Sequence, residues 1–325
     1  MPTSSTPDGE STETIGTLGE FGLIDRVTAG RVQPASTLLG PGDDAAVVAC
    51  PDGRVVATTD VLVEGVHFRL DWSGPEQIGR KAAAANLADV AAMGAVPTAL
   101  LVGLACPAGT AVTSLSALAD GLWAEAGAAG AGVVGGDVTA SPTLTISVTA
   151  LGSLEGRPPV RRGGAEPGQV VALCGRVGWS AAGLAVLARG FRSPAVVVGA
   201  YRVPEPPYAA GPQAAKAGAT AMIDVSDGLL ADLGHVATAS GVLIDLRSGA
   251  LEVPPRLADV GAALGVDPLH WLLTGGEDHA LAATFPGEPP PGWTVIGTVG
   301  AGEPGVLVDG RPYTGGPAGW EHFAR

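Results

Sequence analysis

Aspartates recur in this chain where apolar runs meet glycine-rich turns. They stand in Gly42-Asp43-Asp44, Thr58-Thr59-Asp60, Asn86-Leu87-Ala88-Asp89, Gly135-Gly136-Asp137 and Asp224-Val225-Ser226-Asp227-Gly228. A fold that draws these separate segments together must set their carboxylates against one another, unless a cation lies between them. Oxygen ligands of this kind suit Mg²⁺, which commonly accompanies phosphate-bearing substrates.

The composition leaves room for such a site. With 325 residues the chain is long enough for two domains and a substantial core. Hydrophobic residues make up 46% and charged residues 15%, which excludes a generic disordered chain. The 50 glycines and 27 prolines mostly punctuate apolar runs such as Val170-Val171-Ala172-Leu173. A formal net charge of −14 argues against nucleic-acid binding, which calls for clustered Lys and Arg. An anionic small substrate is compatible with that charge only if metal ions invert the local potential.

Cys50, Cys106 and Cys174 are far apart and form no CxxC pair, so neither a disulfide framework nor a zinc site is expected. A cytoplasmic location follows as the expectation. Residues 1–18 are rich in Ser, Thr, Gly and Glu and read as a flexible tail without a signal pattern. The apolar stretch 82–106 is broken by Asn86, Asp89 and Pro97, so no membrane span is expected.

Strands and helices interleave. Val55–Thr59 reads as a strand, Gln77–Met93 as a helix stopped by Gly94, and Ser114–Ala129 as a second helix. A strand through Val133-Val134 leads into Gly135-Gly136-Asp137, and Leu144–Leu151 alternates as another. A Gly-, Pro- and Arg-rich crossing at 155–169 precedes a second unit of strands and helices. The predicted fold class is α/β (α+β), with an N-terminal domain at 19–152 and a C-terminal domain at 153–325.

Each acidic motif also has a plain structural reading. Taken alone, Asp43-Asp44 is a turn dipeptide, and Thr58-Thr59-Asp60 serves equally well as a strand terminus. Asp89 is harder to dismiss, because it lies in a helix dominated by alanine and leucine, and a buried carboxylate requires donors or a metal. In Asp224-Val225-Ser226-Asp227-Gly228, Ser226 or Asp227 can cap the following helix, which leaves one acid spare for a bridging cation. His67 can bind phosphate or pack beside Phe68. The glycines at 130, 132 and 135 mimic a dinucleotide fingerprint but enter a strand from a helix, the wrong order. No GxxxxGK[ST] motif occurs.

Assembled in order, these motifs resemble the thiamine-monophosphate kinase family, within the superfamily of aminoimidazole ribonucleotide synthetase. Gly19-Glu20-Phe21, Gly65-Val66-His67-Phe68, Met93-Gly94, Gly275-Gly276-Glu277-Asp278 and His322-Phe323 complete the likeness, which spans 19–323. The resemblance implies a two-domain fold of mixed sheets packed with helices. It also implies a homodimer, several Mg²⁺ ions, and transfer of phosphate from ATP to thiamine monophosphate. By position, Asp44, Thr58, Thr59, Asp60, Asp89, Asp137, Asp224 and Asp227 bind metal, with Asp44, Asp89 and Asp224 assisting transfer. Gly136, Asp137, Arg162 and Ser226 border ATP, while His67, Glu277 and Trp320 line the thiamine phosphate site. His279 and Trp320 stand where the family often has tyrosine.

A phosphate acceptor is already anionic, so alignment and charge neutralisation suffice and no general base is expected. The competing readings are an aminoimidazole ribonucleotide synthetase-like enzyme and a non-catalytic scaffold stabilised by cations.

Overall fold

The fold brings one strand and one helix that carry two of the acidic motifs against a strand of a second sheet that carries a third. It is described by a computed structural model over residues 13–42 and 45–320. The chain opens with α1 (Ile15–Leu18), α2 (Glu20–Thr28) and a small ladder of β1 (Thr37–Leu39) and β2 (Val47–Val48). Then come β3 (Val56–Val63), α3 (Pro75–Ala92), β4 (Val96–Cys106), α4 (Val112–Ala128), β5 (Gly132–Ala140) and β6 (Thr145–Ser153). Four of these strands form a sheet in the order β3-β6-β4-β5, antiparallel except for the β4/β5 pair joined through α4.

The second half contains β7 (Val170–Cys174), α5 (Trp179–Ala188), α6 (Ala195–Arg202), α7 (Ala210–Lys216), β8 (Ala221–Val225), α8 (Leu229–Ser240) and β9 (Leu243–Leu246). It finishes with α9 (Pro255–Leu264), α10 (Pro268–Thr274), β10 (Ala280–Phe285), β11 (Thr294–Gly300), β12 (Gly305–Val308) and β13 (Arg311–Pro312). The seven strands form one mixed sheet in the order β13-β12-β9-β11-β7-β10-β8. Two sheets packed with helices match the mixed α/β expectation.

Helix α3 links the halves. It is buried almost all round, as a helix without a polar face must be. Ala82, Ala83, Leu87 and Val90 pack with Leu100, Ile146 and Val148 of the first sheet. One turn on, Ala91 and Ala92 join Met222, Leu281 and Phe285 of the second. Against α4 the approach is closest at Gly79 and Gly121: a Cβ on Gly79 would stand 2.0 Å from the Leu118 carbonyl oxygen. Alanines and glycines are therefore what allow one helix to sit between two layers.

Three local expectations change. Strand β3 does not stop at Asp60 but continues to Val63, so Thr58, Thr59 and Asp60 are mid-strand. Gly135-Gly136-Asp137 likewise lies inside β5 rather than at its end. Of the segment read as a tail, residues 15–18 form a helical turn with Ile15 buried and bonded to the Thr110 carbonyl. Residues 1–12 lie outside the described residues.

Candidate active site

Alternation along β3 sorts its three candidate ligands. Thr58 and Asp60 face α3, where the Thr58 hydroxyl donates to Asp89 Oδ2 at 2.7 Å. Thr59 points to the other face and donates instead to the Val148 carbonyl at 3.0 Å. Asn86, one turn before Asp89, braces this arrangement by accepting the Asp60 N–H at 3.0 Å while donating to the Ala82 carbonyl. That brace is invisible in sequence, where Asn86 is only a polar interruption of an apolar stretch.

The second sheet delivers Asp224 from β8 and His279 from the turn before β10. Their side chains meet at 3.0 Å between Nδ1 and Oδ2. Asp60, Asp89 and Asp224 thus converge from three elements. Burial, followed by the Asp224 charge, raises the Asp89 carboxyl to about 7. Asp60 is also raised, first by burial and then by Asp224 and Glu277. Burial alone would lower His279, but its bond to Asp224 and the surrounding carboxylates raise it to about 9. An all-oxygen donor set of desolvated carboxylates beside a hydroxyl fits a hard divalent cation, which would satisfy the charges that the interior does not.

The loop after β8 is held in an unexpected way. Neither Ser226 nor Asp227 caps α8; Asp232, in its first turn, reaches back. Its Oδ2 accepts the N–H groups of Ser226, Asp227 and Gly228, each at 3.0 Å. Burial raises Asp232 to about 7 despite those bonds. Gly228 has φ 138° and no room for a Cβ, because the Thr274 carbonyl oxygen would lie 2.6 Å away. Asp227, Asp232 and His235 also bring ligand atoms within 4.8 Å of one another, though Asp232 is committed to the loop.

Two cavities meet at the carboxylates. One, of about 830 Å³, is lined by Asp60, Asp89, Asp224, Ser226 and Asp227, and by all three residues expected at the thiamine phosphate site, His67, Glu277 and Trp320. His67 accepts the Val63 N–H on Nδ1 at 3.0 Å, which puts the proton of the neutral ring on Nε2. Trp320 lines this cavity with 60% of its surface exposed, its backbone N–H bonded to the Asp227 carbonyl. The other cavity, of about 890 Å³, is lined by Arg54, Arg161 and Arg162 together with Thr58, Asp89 and Asp224. Asp89 and Asp224 line both.

Some expected residues lie elsewhere. Gly136 and Asp137 sit on β5, three strand spacings from β3, on the order of 14 Å across the sheet. The ladder register puts Asp137 in the same row as Gly103, Ser147 and Val61, on the face that carries the Thr59 side chain. Asp44 lies outside the described residues. Conversely, Lys81, Asn86, Asp232 and His279 carry geometry that spacing gave no reason to assign.

The fold defines the class first. The sequence model of "AIR synthase related protein, N-terminal domain" matches residues 42–154. Crystal structures of the hydrogenase maturation protein HypE, 18–20% identical with TM-scores up to 0.68, share the fold. Within that class the relatives are closer. Thiamine-monophosphate kinase of Mycobacterium tuberculosis is 54% identical over 95% of this chain and 93% of its own. That of Corynebacterium glutamicum is 44% identical over 88% and 87%. A solved structure described as AaThiL complexed with AMPPCP and TMP superposes with a TM-score of 0.78 at 33% identity, covering 97% of this chain and 100% of that one. The chain belongs to the thiamine-monophosphate kinase family. Among the described residues, no helix is long and apolar enough to cross a membrane.

Proposed function

We propose that this chain transfers the γ-phosphoryl group of ATP to thiamine monophosphate, giving thiamine diphosphate and ADP. The observation that carries the reading is the pair of cavities joined at Asp89 and Asp224, one bearing arginines and the other the aromatic and acidic groups His67, Glu277 and Trp320. A donor and an acceptor need such a junction, with charge compensation at the point of transfer.

In this reading Arg162 holds ATP from the arginine-lined cavity, Ser226 meets its phosphates from the acceptor side of the junction, and His67, Glu277 and Trp320 hold the acceptor. Asp60, Asp89, Asp224 and Asp227, with Thr58 and the expected Asp44, hold Mg²⁺. The ions supply neutralisation of phosphate charge and alignment of the reacting oxygens. A terminal oxygen of the acceptor phosphate attacks in line; its bond to the γ-phosphorus forms as the bridging bond to ADP breaks. The acceptor is already anionic, so no side chain has to remove a proton. His67 can donate from Nε2 to a phosphate oxygen, and Trp320 presents a face for a heteroaromatic ring.

We place the enzyme in the cytoplasm and read it as a homodimer. The first sheet supports the dimer: β3 and β5 are edge strands, and Val61 and Leu101 are 49% and 37% exposed. Thr59, Gly136 and Asp137, remote from the cluster within one chain, belong to that same sheet, so a second copy gives them a route to a site. Light scattering on the purified chain checks this, and a monomer at micromolar concentration counts against it. Incubation with ATP, Mg²⁺ and thiamine monophosphate, read by mass spectrometry, tests the activity itself. Absence of thiamine diphosphate sinks it.

A further inference from the structure

Lys81 is the one lysine in the apolar body of α3, and its ammonium is 4% exposed in the side chain. A buried ammonium persists only if its donors are satisfied. Here there are three donors and three partners. Glu277 Oε2 lies 2.7 Å away, the Tyr201 carbonyl oxygen 3.5 Å, and the Tyr201 ring centroid 4.3 Å. The ammonium therefore has no donor left for a ligand.

Its partner is in a different condition. Glu277 keeps 43% of its side chain exposed and lines the first cavity. Lys81 engages Oε2, which leaves Oε1 to accept from a ligand. The backbone of the turn is unusual: Glu277 has φ 67° and His279 φ 54°, a region that side chains rarely adopt. Glu277 is pinned by its own N–H to the Ser226 carbonyl and by Lys81 from the opposite half of the molecule.

Helix geometry adds a measure. Lys81, Ala85 and Asp89 occur at four-residue spacing and all line the cavity. The helical rise separates Lys81 from Asp89 by about 12 Å, with only a methyl group between them. The clamp on Glu277 is thus built on the same rigid element as the central carboxylate.

We propose that Lys81 is a positioning residue: it fixes Glu277 at a set distance from Asp89, so that Glu277 can receive the N–H groups of the acceptor's heterocycle while the acceptor's phosphate reaches the carboxylates. The proposal rests on the kinase reading above. Lys81→Met, Glu277→Gln and the double variant are compared in steady-state kinetics and thermal melts. Lys81→Met raises KM for thiamine monophosphate roughly tenfold or more, with KM for ATP and kcat nearly unchanged. The double variant is no worse than the worse single one, because both remove the same contact. Tyr201→Leu, which takes the ring from beneath the ammonium and also from its edge contact with Trp72, gives a smaller rise in the same constant, and if Lys81→Met does not fold, a Tyr201→Leu protein with KM for thiamine monophosphate unchanged overturns the proposal. An unchanged KM for thiamine monophosphate, or equal loss toward both substrates, overturns the proposal in a wild type that is active. A wild type that makes no thiamine diphosphate overturns the kinase reading, and this inference with it.

Discussion

Half-buried Asp89 and buried Asp232 are both carboxylates raised to about 7, yet their surroundings give them opposite work. Asp89 faces other acids, one hydroxyl and the more distant His279, which offsets only part of the repulsion, so a cation is needed to compensate the rest. Asp89→Asn keeps the shape and the Thr58 contact while removing the charge. Turnover should fall at least about 100-fold, with the metal-free melting temperature unchanged or higher. Full turnover in that variant would show that Asp89 is not a metal ligand. Asp232, by contrast, is held by three amides of the loop that presents Ser226 and Asp227. Asp232→Ala leaves those amides without an acceptor and should cost about 2–4 kcal/mol by denaturant unfolding, whereas Asp232→Asn, which keeps an oxygen, costs less. Equal losses in the two would contradict a hydrogen-bonding role. The aspartates of this loop are plain in the sequence, but which of them caps it is not. Local spacing favours Ser226 or Asp227, and only the path of α8 brings Asp232 back over the loop.

Among the elements, α3 has the most to lose from small changes. Gly79→Ala puts a methyl into the Leu118 carbonyl, and the two helix axes must separate to admit it. The expected loss is about 1–3 kcal/mol, measured by chemical denaturation. Little change would mean that the α3/α4 crossing is looser than described. Ala85→Leu tests the other side of the helix: its side chain enters the span between Lys81 and Asp89. KM for thiamine monophosphate should rise with KM for ATP nearly constant, and a parallel rise in both would argue against separate cavities. Helices α3 and α4 were legible to within two residues at each end, with Gly94 marking the stop of α3, whereas the short α6, α7, α9 and α10 were not read. Strand β4 was not read either, since Val96–Cys106 is a continuous apolar run containing Pro97, without the alternation that marks a half-exposed strand. β3 and β5 were read too short for a related reason: aspartate and glycine look like terminators, yet sheet pairing on a neighbouring strand carries the ladder past them.

For the whole molecule, the unusual balance is in protons. Asp89, Asp232 and Asp278 stand at about 7, above the ordinary carboxylate value of 3.8, so between those values the folded chain holds protons that the unfolded chain has released. Stability contributed by these groups therefore falls as pH rises through that window. His279, raised from 6.5 to about 9, contributes stability that is complete below its unfolded value and is lost as pH rises through about 9. In chelator the melting temperature should decline from about pH 5 to pH 9, and Mg²⁺ should flatten the decline by favouring ionised Asp89. A melting temperature that climbs across this range without metal would refute the assignment of these shifts. The order of the acidic and glycine motifs along the sequence was enough by itself to carry the resemblance to a kinase family, although each motif alone also had a turn or cap reading. The sequence also determined the alternating architecture, because period and punctuation are local properties. Only the tertiary structure decided which acids meet. Alternation along β3 sends Thr58 and Asp60 one way and Thr59 the other, and two strands separate Asp137 from Asp60. It alone also paired Lys81 with Glu277 and His279 with Asp224, contacts between residues 196 and 55 positions apart, which no local pattern encodes.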